Sequence, residues 1–122
     1  MIQALSINQK IAEWVDVCCL SEIVPNTGVC ALVEDEQVAI FRVGCESEVL
    51  AISNYDPFSK AYVLSRGIVG DRNGITKVAS PIYKQNFNLM TGECLDDETV
   101  SVPTYQVRVV EGRVQVAIAS VE

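Results

Sequence analysis

Two short segments of the sequence are arranged like the two halves of a metal site. Asp56-Pro57-Phe58 and Ser80-Pro81-Ile82-Tyr83 each lie between apolar runs, and each has a proline directly after its first polar residue. A Cys and a His in each segment would make a cluster site, but neither segment contains either residue. The sequence therefore predicts two facing loops, which we call loop 1 (Asn54–Phe58) and loop 2 (Ser80–Tyr83), without strong metal ligands.

Metal-ligating side chains are scarce elsewhere in the chain, which has five Cys and no His. The absence of His excludes a Ser-His-Asp triad and His-ligated zinc or haem. Cys18 and Cys19 are adjacent in a predicted strand, so their side chains point to opposite faces and do not readily share one metal. Cys30, Cys45 and Cys94 are scattered, with no CxxC pair. We expect five free, mostly buried thiols in a reducing compartment.

Composition places the chain among globular domains. Its 122 residues are 49% hydrophobic, which suits one domain with a sizeable core. No apolar run approaches the roughly 20 residues that span a bilayer, and the N-terminus does not resemble a signal peptide. The net charge of −7 argues against broad nucleic-acid binding. We expect a cytoplasmic protein that binds neither membrane nor nucleic acid.

The charge is unevenly distributed around the two loops. The window 60–84 contains five basic residues and one acidic residue, a local charge of +4, which leaves −11 for the rest of the chain. Such a window is either an ordinary solvated surface or a docking face for a partner, and the sequence leaves both alternatives open.

Alternating apolar residues and turn signals predict an all-β fold. Asn73-Gly74 and Glu111-Gly112 are two-residue hairpin signals, and the acidic run 34–36 separates two further alternating segments. Many short strands without a long helical stripe predict a β-sandwich or partly open barrel. We expect an N-terminal arm at 1–13 and a single domain at 14–122, with a smaller β-subdomain at about 54–94.

The motifs around the two loops resemble those of the Rieske iron–sulfur domain. They read N-x-x-P-F, R-G-I-V-G-D, S-P-x-Y-x-x-x-F-x-L and T-G-x-C-L. The resemblance places the first-loop Cys and His of that family on Asp56 and Phe58, and those of the second loop on Ser80 and Tyr83. All four ligand positions have changed, while the frame of turn and core residues remains: Pro57, Pro81, Phe87, Leu89, Thr91 and Gly92.

Further motifs are similar to those of the small-subunit family of NADH-dependent assimilatory nitrite reductases. They include W-x-D-V-C, P-x-T-G-V-C-A-L-V, A-I-S-N-x-D-P-F and V-A-S-P-x-x-K-Q-x-F, and together they span most of the chain. That family lacks the cluster ligands as well. The resemblance implies an accessory subunit without bound cofactor. Its partner would be a large subunit with FAD, an iron–sulfur cluster and sirohaem, which reduces nitrite to ammonia with electrons from NADH in nitrate and nitrite assimilation.

Individual loop residues allow more than one interpretation. Asp56 is either an Asx-turn residue or an acid or metal ligand, and the turn is favoured. Phe58 and Tyr83 either fill the space of the missing cluster or anchor a partner. We predict no catalytic residue and no metal ligand in the chain. The candidate docking residues are Phe58, Lys60, Arg66, Tyr83, Lys84 and Gln85.

Two other functions remain open at this stage: a stand-alone ferredoxin-like electron carrier with a Cys-ligated cluster, and a ligand-binding β-domain. The scattered Cys residues argue against the first, and no distinctive pocket motif supports the second.

Overall fold

The computed structural model describes residues 12–44 and 48–119, with side chains at 13–44 and 48–117. The predicted N-terminal arm and Cys45 lie outside these ranges. The described chain is mostly β-strand, and its only helical elements are 3₁₀ turns at Leu20–Glu22 and Leu64–Arg66, which confirms the all-β prediction. The strands are β1 Ala12–Cys19, β2 Thr27–Val33, β3 Glu36–Val43, β4 Glu48–Ser53, β5 Tyr55–Asp56, β6 Ala61–Tyr62, β7 Ile68–Arg72, β8 Ile75–Ala79, β9 Asn86–Asn88, β10 Thr104–Tyr105, β11 Val107–Val110 and β12 Arg113–Ala119.

Two larger antiparallel sheets enclose the main core. The first has the order β1-β12-β11 and the second the order β10-β4-β3-β2. Alternate residues of their strands point inward, including Val38, Ile40, Val114 and Val116, and all four are fully buried in one cluster. Period-two alternation thus produces two half-buried sheets that pack against each other.

Three two-residue turns close the predicted hairpins. Asn73-Gly74 joins β7 to β8, and Glu111-Gly112 joins β11 to β12. Glu34-Asp35 joins β2 to β3, because Glu36 already pairs with Val33. The residues in all three turns have positive φ angles, as mirror-image hairpin turns require.

The segment 104–110 differs from its sequence pattern. It reads as one alternating strand, but β10 pairs with β4 in the second sheet and β11 pairs with β12 in the first. The chain crosses between the sheets at Gln106, whose carbonyl accepts a hydrogen bond from the N–H of Ala117 at 2.9 Å. The carbonyl of Gln106 therefore stays hydrogen-bonded at the point where the chain passes from one sheet to the other.

Two smaller sheets, β5-β6 and β7-β8-β9, position the two loops. Beneath them lies a second buried cluster that includes Phe41, Leu64, Val78 and Phe87. Strand β5 lies within loop 1, and loop 2 follows β8 on the connection to β9. Both loops therefore extend from elements fixed on the same core. Within the two described ranges, no helix has the length and apolar character needed to cross a membrane.

Candidate functional site

A direct hydrogen bond joins loop 1 to loop 2. The hydroxyl Oγ of Ser80 donates to the carboxyl Oδ2 of Asp56 at 2.5 Å. Asp56 is 0% exposed and Ser80 is 1% exposed, so water does not compete for this bond. The prediction that the two loops face one another is confirmed, and the residues that meet are two of the four positions on which the resemblance places cluster ligands.

The second oxygen of Asp56 shapes loop 1. Oδ1 accepts the N–H of Phe58 at 2.9 Å and, over a longer distance of 3.5 Å, the N–H of Ser59. In loop 2 the hydroxyl of Ser80 plays the corresponding part, since it accepts the N–H of Ile82 at 3.4 Å. The favoured Asx-turn interpretation of Asp56 is confirmed, and each loop is closed by the side chain that also bonds across to the other loop.

The two loops share one pattern of backbone hydrogen bonding. In Asp-Pro-Phe-Ser-Lys, the carbonyl of Asp56 accepts the N–H of Lys60 at 2.7 Å; in Ser-Pro-Ile-Tyr-Lys, the carbonyl of Ser80 accepts the N–H of Lys84 at 3.1 Å. Both lysines adopt the left-handed conformation, with φ angles of 61° and 65°. Each loop thus leads into an i to i+4 turn that ends, just beyond the loop, in a left-handed lysine. Sequence analysis missed this equivalence, although the shared P-x-x-K spacing was visible.

The two aromatic candidates occupy different environments. Phe58 is half-buried, and its ring lies 6.1 Å from that of Phe87 at an angle of 53°. Tyr83 is 62% exposed, next to Ile82, which is 44% exposed. Phe58 therefore packs against the core as the first alternative proposed, whereas Tyr83 does not fill the interior and presents its ring at the surface.

The basic residues of the window 60–84 divide into two groups. Arg72 pairs with Asp96 at 3.2 Å, and Lys77 donates to Asn86 at 2.8 Å, so both are engaged within the smaller sheets. The other three, Lys60, Arg66 and Lys84, are exposed. The positive charge that faces solvent near the two loops therefore comes mainly from these three side chains.

Gln85 and Ser59 stand behind the tips of the loops. Gln85 is half-buried, and its Oε1 is a buried atom without a hydrogen-bond partner among the described residues. The Oγ of Ser59 is likewise buried and has no hydrogen-bond partner among the described residues. Buried polar atoms without partners are uncommon in native proteins. Because the Ser59 hydroxyl makes no hydrogen bond with a described residue, it contributes little to holding loop 1.

Asn54 fixes the start of loop 1, a role that sequence analysis did not assign. It is 2% exposed, and its Oδ1 accepts the N–H of Ser65 at 2.7 Å. Its Nδ2 donates to Gln37 Oε1 at 3.0 Å, and its carbonyl accepts the N–H of Leu64 at 3.0 Å. The side chain thereby connects loop 1 to β3 and to the 3₁₀ turn that ends at Arg66.

The cysteines are less buried than predicted. All four that the structure describes are free, but only Cys94 is buried; Cys18 and Cys19 are half-buried and Cys30 is exposed. The prediction of mostly buried thiols is wrong for the described cysteines, because three of the four lie on β1 and β2, which are edge strands of the two larger sheets. Partial desolvation still raises the pKa of the Cys18 and Cys30 thiols, so both favour the protonated form.

A Rieske cluster does not fit these residues. It needs two thiolates and two imidazoles, whereas the four positions hold a carboxyl, a benzyl, a hydroxyl and a phenol. Phe58 has no donor atom, and Asp56 and Ser80 are bonded to each other. Across residues 12–44 and 48–119, no three His, Cys, Asp or Glu side chains group closely enough to hold a metal ion. The loop pair can present a shaped basic surface, but not a cluster.

Known proteins share this fold and much of its sequence. Residues 13–117 match the family model described as a Rieske-like [2Fe-2S] domain. The nitrite reductase (NADH) small subunit of Escherichia coli strain K12 is 50% identical over 105 residues, which are 86% of this chain and 97% of that protein. The solution structure of the nitrite reductase [NAD(P)H] small subunit of Erwinia carotovora is 50% identical with a TM-score of 0.76, and the match covers 89% of this chain and 84% of that one.

A similar segment also occurs inside a much longer protein. The nitrite reductase [NAD(P)H] large subunit of Klebsiella oxytoca is 39% identical over 103 residues, which are 84% of this chain but only 11% of that protein. The family model, the identity of about one half and the nearly complete coverage agree with the motifs and with the loop geometry. The chain therefore belongs to the nitrite reductase small-subunit family, within the Rieske-like domains.

Proposed function

We propose that this chain is the accessory small subunit of an NADH-dependent nitrite reductase and that it docks on the large subunit through its two loops. The observation that carries the proposal is the buried Asp56–Ser80 hydrogen bond, which closes the loop pair where a cluster would otherwise join it. A domain that keeps the loops without redox ligands serves the complex by contact, not by electron transfer. The chain itself has no autonomous activity in this proposal.

The matching segment of the Klebsiella oxytoca large subunit supports the choice of partner. In that protein a domain similar to this chain is part of the same polypeptide as the rest of the large subunit. Covalent attachment gives two domains a high effective concentration for each other, and it is useful where they work together. A separate chain of the same family can form the equivalent contact non-covalently.

The partner supplies the redox chemistry in this proposal. The large subunit would hold FAD, an iron–sulfur cluster and sirohaem, and would reduce nitrite to ammonia in the cytoplasm. This chain would bind none of these groups. Its contribution is to stabilise or orient the large subunit through the predicted subdomain at about 54–94.

Six residues form the proposed docking surface, in three roles. Lys60, Arg66 and Lys84 are exposed and basic, so they steer association and make it sensitive to salt. Tyr83 is an exposed aromatic ring that can anchor the contact. Phe58 and Gln85 lie behind the tips and support the loops that present the others.

The binding of purified subunits across a salt series tests the proposal. Reversing two charges in the variant Arg66→Glu with Lys84→Glu should weaken binding at low salt by about tenfold or more and flatten its salt dependence. The control compares two single charge reversals. Lys84→Glu should weaken binding, whereas Arg108→Glu should not, because Arg108 lies on β11 in the first sheet and outside both loops. If the folded double variant binds as tightly as wild type at low salt, the docking surface lies elsewhere.

A further inference from the structure

Next to loop 1 is a cleft of about 400 Å³ that the loop contacts do not use. Three of the four tyrosines in the sequence line it, together with two acidic residues and an exposed leucine. They are Tyr55, Tyr62 and Tyr105, with Asp35, Glu36 and Leu32. None of the described lining residues is basic, so the cleft combines aromatic walls with negative charge.

The tyrosine side chains that line the cleft are held by contacts with their neighbours, and the cleft is accessible to solvent. The rings of Tyr55 and Tyr62 lie 5.0 Å apart at an angle of 56°. The hydroxyl of Tyr105 donates to Glu36 Oε1 at 2.5 Å, which fixes both side chains. Tyr62 is 57% exposed and Leu32 is 71% exposed, so a ligand from solvent can reach the rings.

The β2–β3 turn beside the cleft has acidic residues at two positions with positive φ angles, which glycine adopts with less strain. Glu34 and Asp35 have φ angles of 51° and 72°, a conformation that side chains with a Cβ rarely adopt. The two other two-residue hairpin turns among the described residues have glycine at their second position, Gly74 and Gly112. The β2–β3 turn therefore tolerates backbone strain and keeps two negative charges, and strain of this kind often marks a functional surface.

We propose that this cleft binds a basic segment of the large subunit, with an Arg or Lys side chain against the tyrosine rings. A cation over an aromatic face is favoured by the ring quadrupole, and the carboxylates of Asp35 and Glu36 add charge complementarity. This inference rests on the proposed function, because it assumes that the large subunit is the partner. It adds a second contact whose charge is opposite to that of the loops.

The cleft and the loop pair lie on opposite sides of one short hairpin. Tyr55 and Asp56 are neighbours in β5, where Tyr55 pairs with Tyr62 and Asp56 pairs with Ala61. Since neighbouring strand residues point to opposite sides, this short hairpin presents Tyr55 to the cleft and Asp56 to Ser80. A basic contact and an acidic contact that flank one hairpin admit a single orientation of the partner, because the reversed orientation brings like charges together.

A turn replacement separates binding from stability. The variant Glu34→Asn with Asp35→Gly introduces the favoured Asn-Gly hairpin turn, so its melting temperature should rise above that of wild type. Its affinity for the purified large subunit should nevertheless fall by about tenfold, through lost charge complementarity. The variant Tyr62→Ser should weaken binding by a similar factor without a charge change. The matched control, Glu98→Gln with Glu111→Asn, also removes two exposed acids and should bind as wild type does.

The outcomes distinguish this inference from the proposed function. If wild-type protein does not bind the large subunit, both are wrong. If wild type binds, the variant with charge reversals at Arg66 and Lys84 is weakened, and the turn and Tyr62 variants bind normally, only the cleft inference is wrong. It is also overturned if these variants change self-association by light scattering instead, since the occupant would then be a second copy of this chain.

Discussion

The hydrogen bond between Asp56 and Ser80 predicts how the loop pair responds to loss of a single oxygen atom. In Ser80→Ala, the carboxyl of Asp56 keeps its Oδ1 contact with the N–H of Phe58 but loses the one side-chain donor that Oδ2 has among the described residues. Because Asp56 is 0% exposed, water cannot replace that donor without opening the loops. The variant therefore leaves a buried carboxyl oxygen without its partner.

The expected cost follows from this geometry. A buried polar atom deprived of its partner costs about 2 kcal/mol in the free energy of unfolding. For a domain of this size, that corresponds to a decrease of about 8 °C in the melting temperature. Asp56→Ala should cost more, about 3 to 4 kcal/mol, because it also removes the acceptor for the N–H of Phe58.

Urea denaturation of four proteins measures the pairwise contribution: wild type, Ser80→Ala, Asp56→Ala and the double variant. If the two side chains act mainly on each other, Ser80→Ala should cost less than about 0.5 kcal/mol once Asp56 is already alanine. The matched control is Ser59→Ala in the same loop. Its buried Oγ has no hydrogen-bond partner within residues 12–44 and 48–119, so its removal should be neutral or stabilising.

Two results would refute this reasoning. Additive costs in the double variant would show that the 2.5 Å contact does not couple the loops. A cost for Ser59→Ala equal to that of Ser80→Ala would show that loss of any hydroxyl from these loops destabilises them, whatever its partner.

Three further predictions concern the cofactor, the backbone and the pH dependence of stability. Protein purified without oxygen should lack stoichiometric iron and sulfide, since no thiolate–imidazole set exists in the loops; finding both would contradict this. Gly92→Ala should cost roughly 3 kcal/mol or more by thermal denaturation, because a Cβ would lie 2.0 Å from the carbonyl oxygen of Val102, while Gly112→Ala, with a similar φ and open space, should cost only about 1 kcal/mol. Burial and, secondarily, the hydrogen bond to Glu36 raise the pKa of Tyr105. The folded state thus keeps a proton that the unfolded chain loses above about pH 10, so stability should fall with rising pH there and Tyr105→Phe should flatten that fall.

Local sequence signals predicted the hairpins and the loops for clear physical reasons. Asn-Gly is the dipeptide most typical of two consecutive positive φ angles, and glycine at the second position of Glu111-Gly112 also favours such a turn; both pairs occupy one. Pro57 and Pro81 restrict the backbone whatever residue follows them, so they predicted the loops although neither loop contains Cys or His. Turn chemistry is local and therefore readable from a single sequence.

Contacts between distant segments were not predictable in the same way. Strand β1 pairs with β12 across nearly the whole chain, and nothing in either strand specifies that partner. The alternation of 104–110 continues through Gln106, so the change of sheet there leaves no mark on the pattern. The bond between Asp56 and Ser80 joins residues 24 positions apart, and an Asx-turn aspartate has the same sequence pattern with or without it.

The repeated turn explains how the loops keep their shape without a metal. Both Asp56–Lys60 and Ser80–Lys84 are closed by a backbone hydrogen bond and end in a left-handed lysine, so neither conformation depends on a ligand outside the protein. The Asp56–Ser80 bond then supplies the single cross-link that a shared cluster would otherwise provide. Because this cross-link is buried while both lysines are exposed, the interior of the loop pair can change its chemistry without altering the surface it presents. The two proposals, that the loop pair binds no cluster and that it docks on a partner, are therefore compatible within one loop pair.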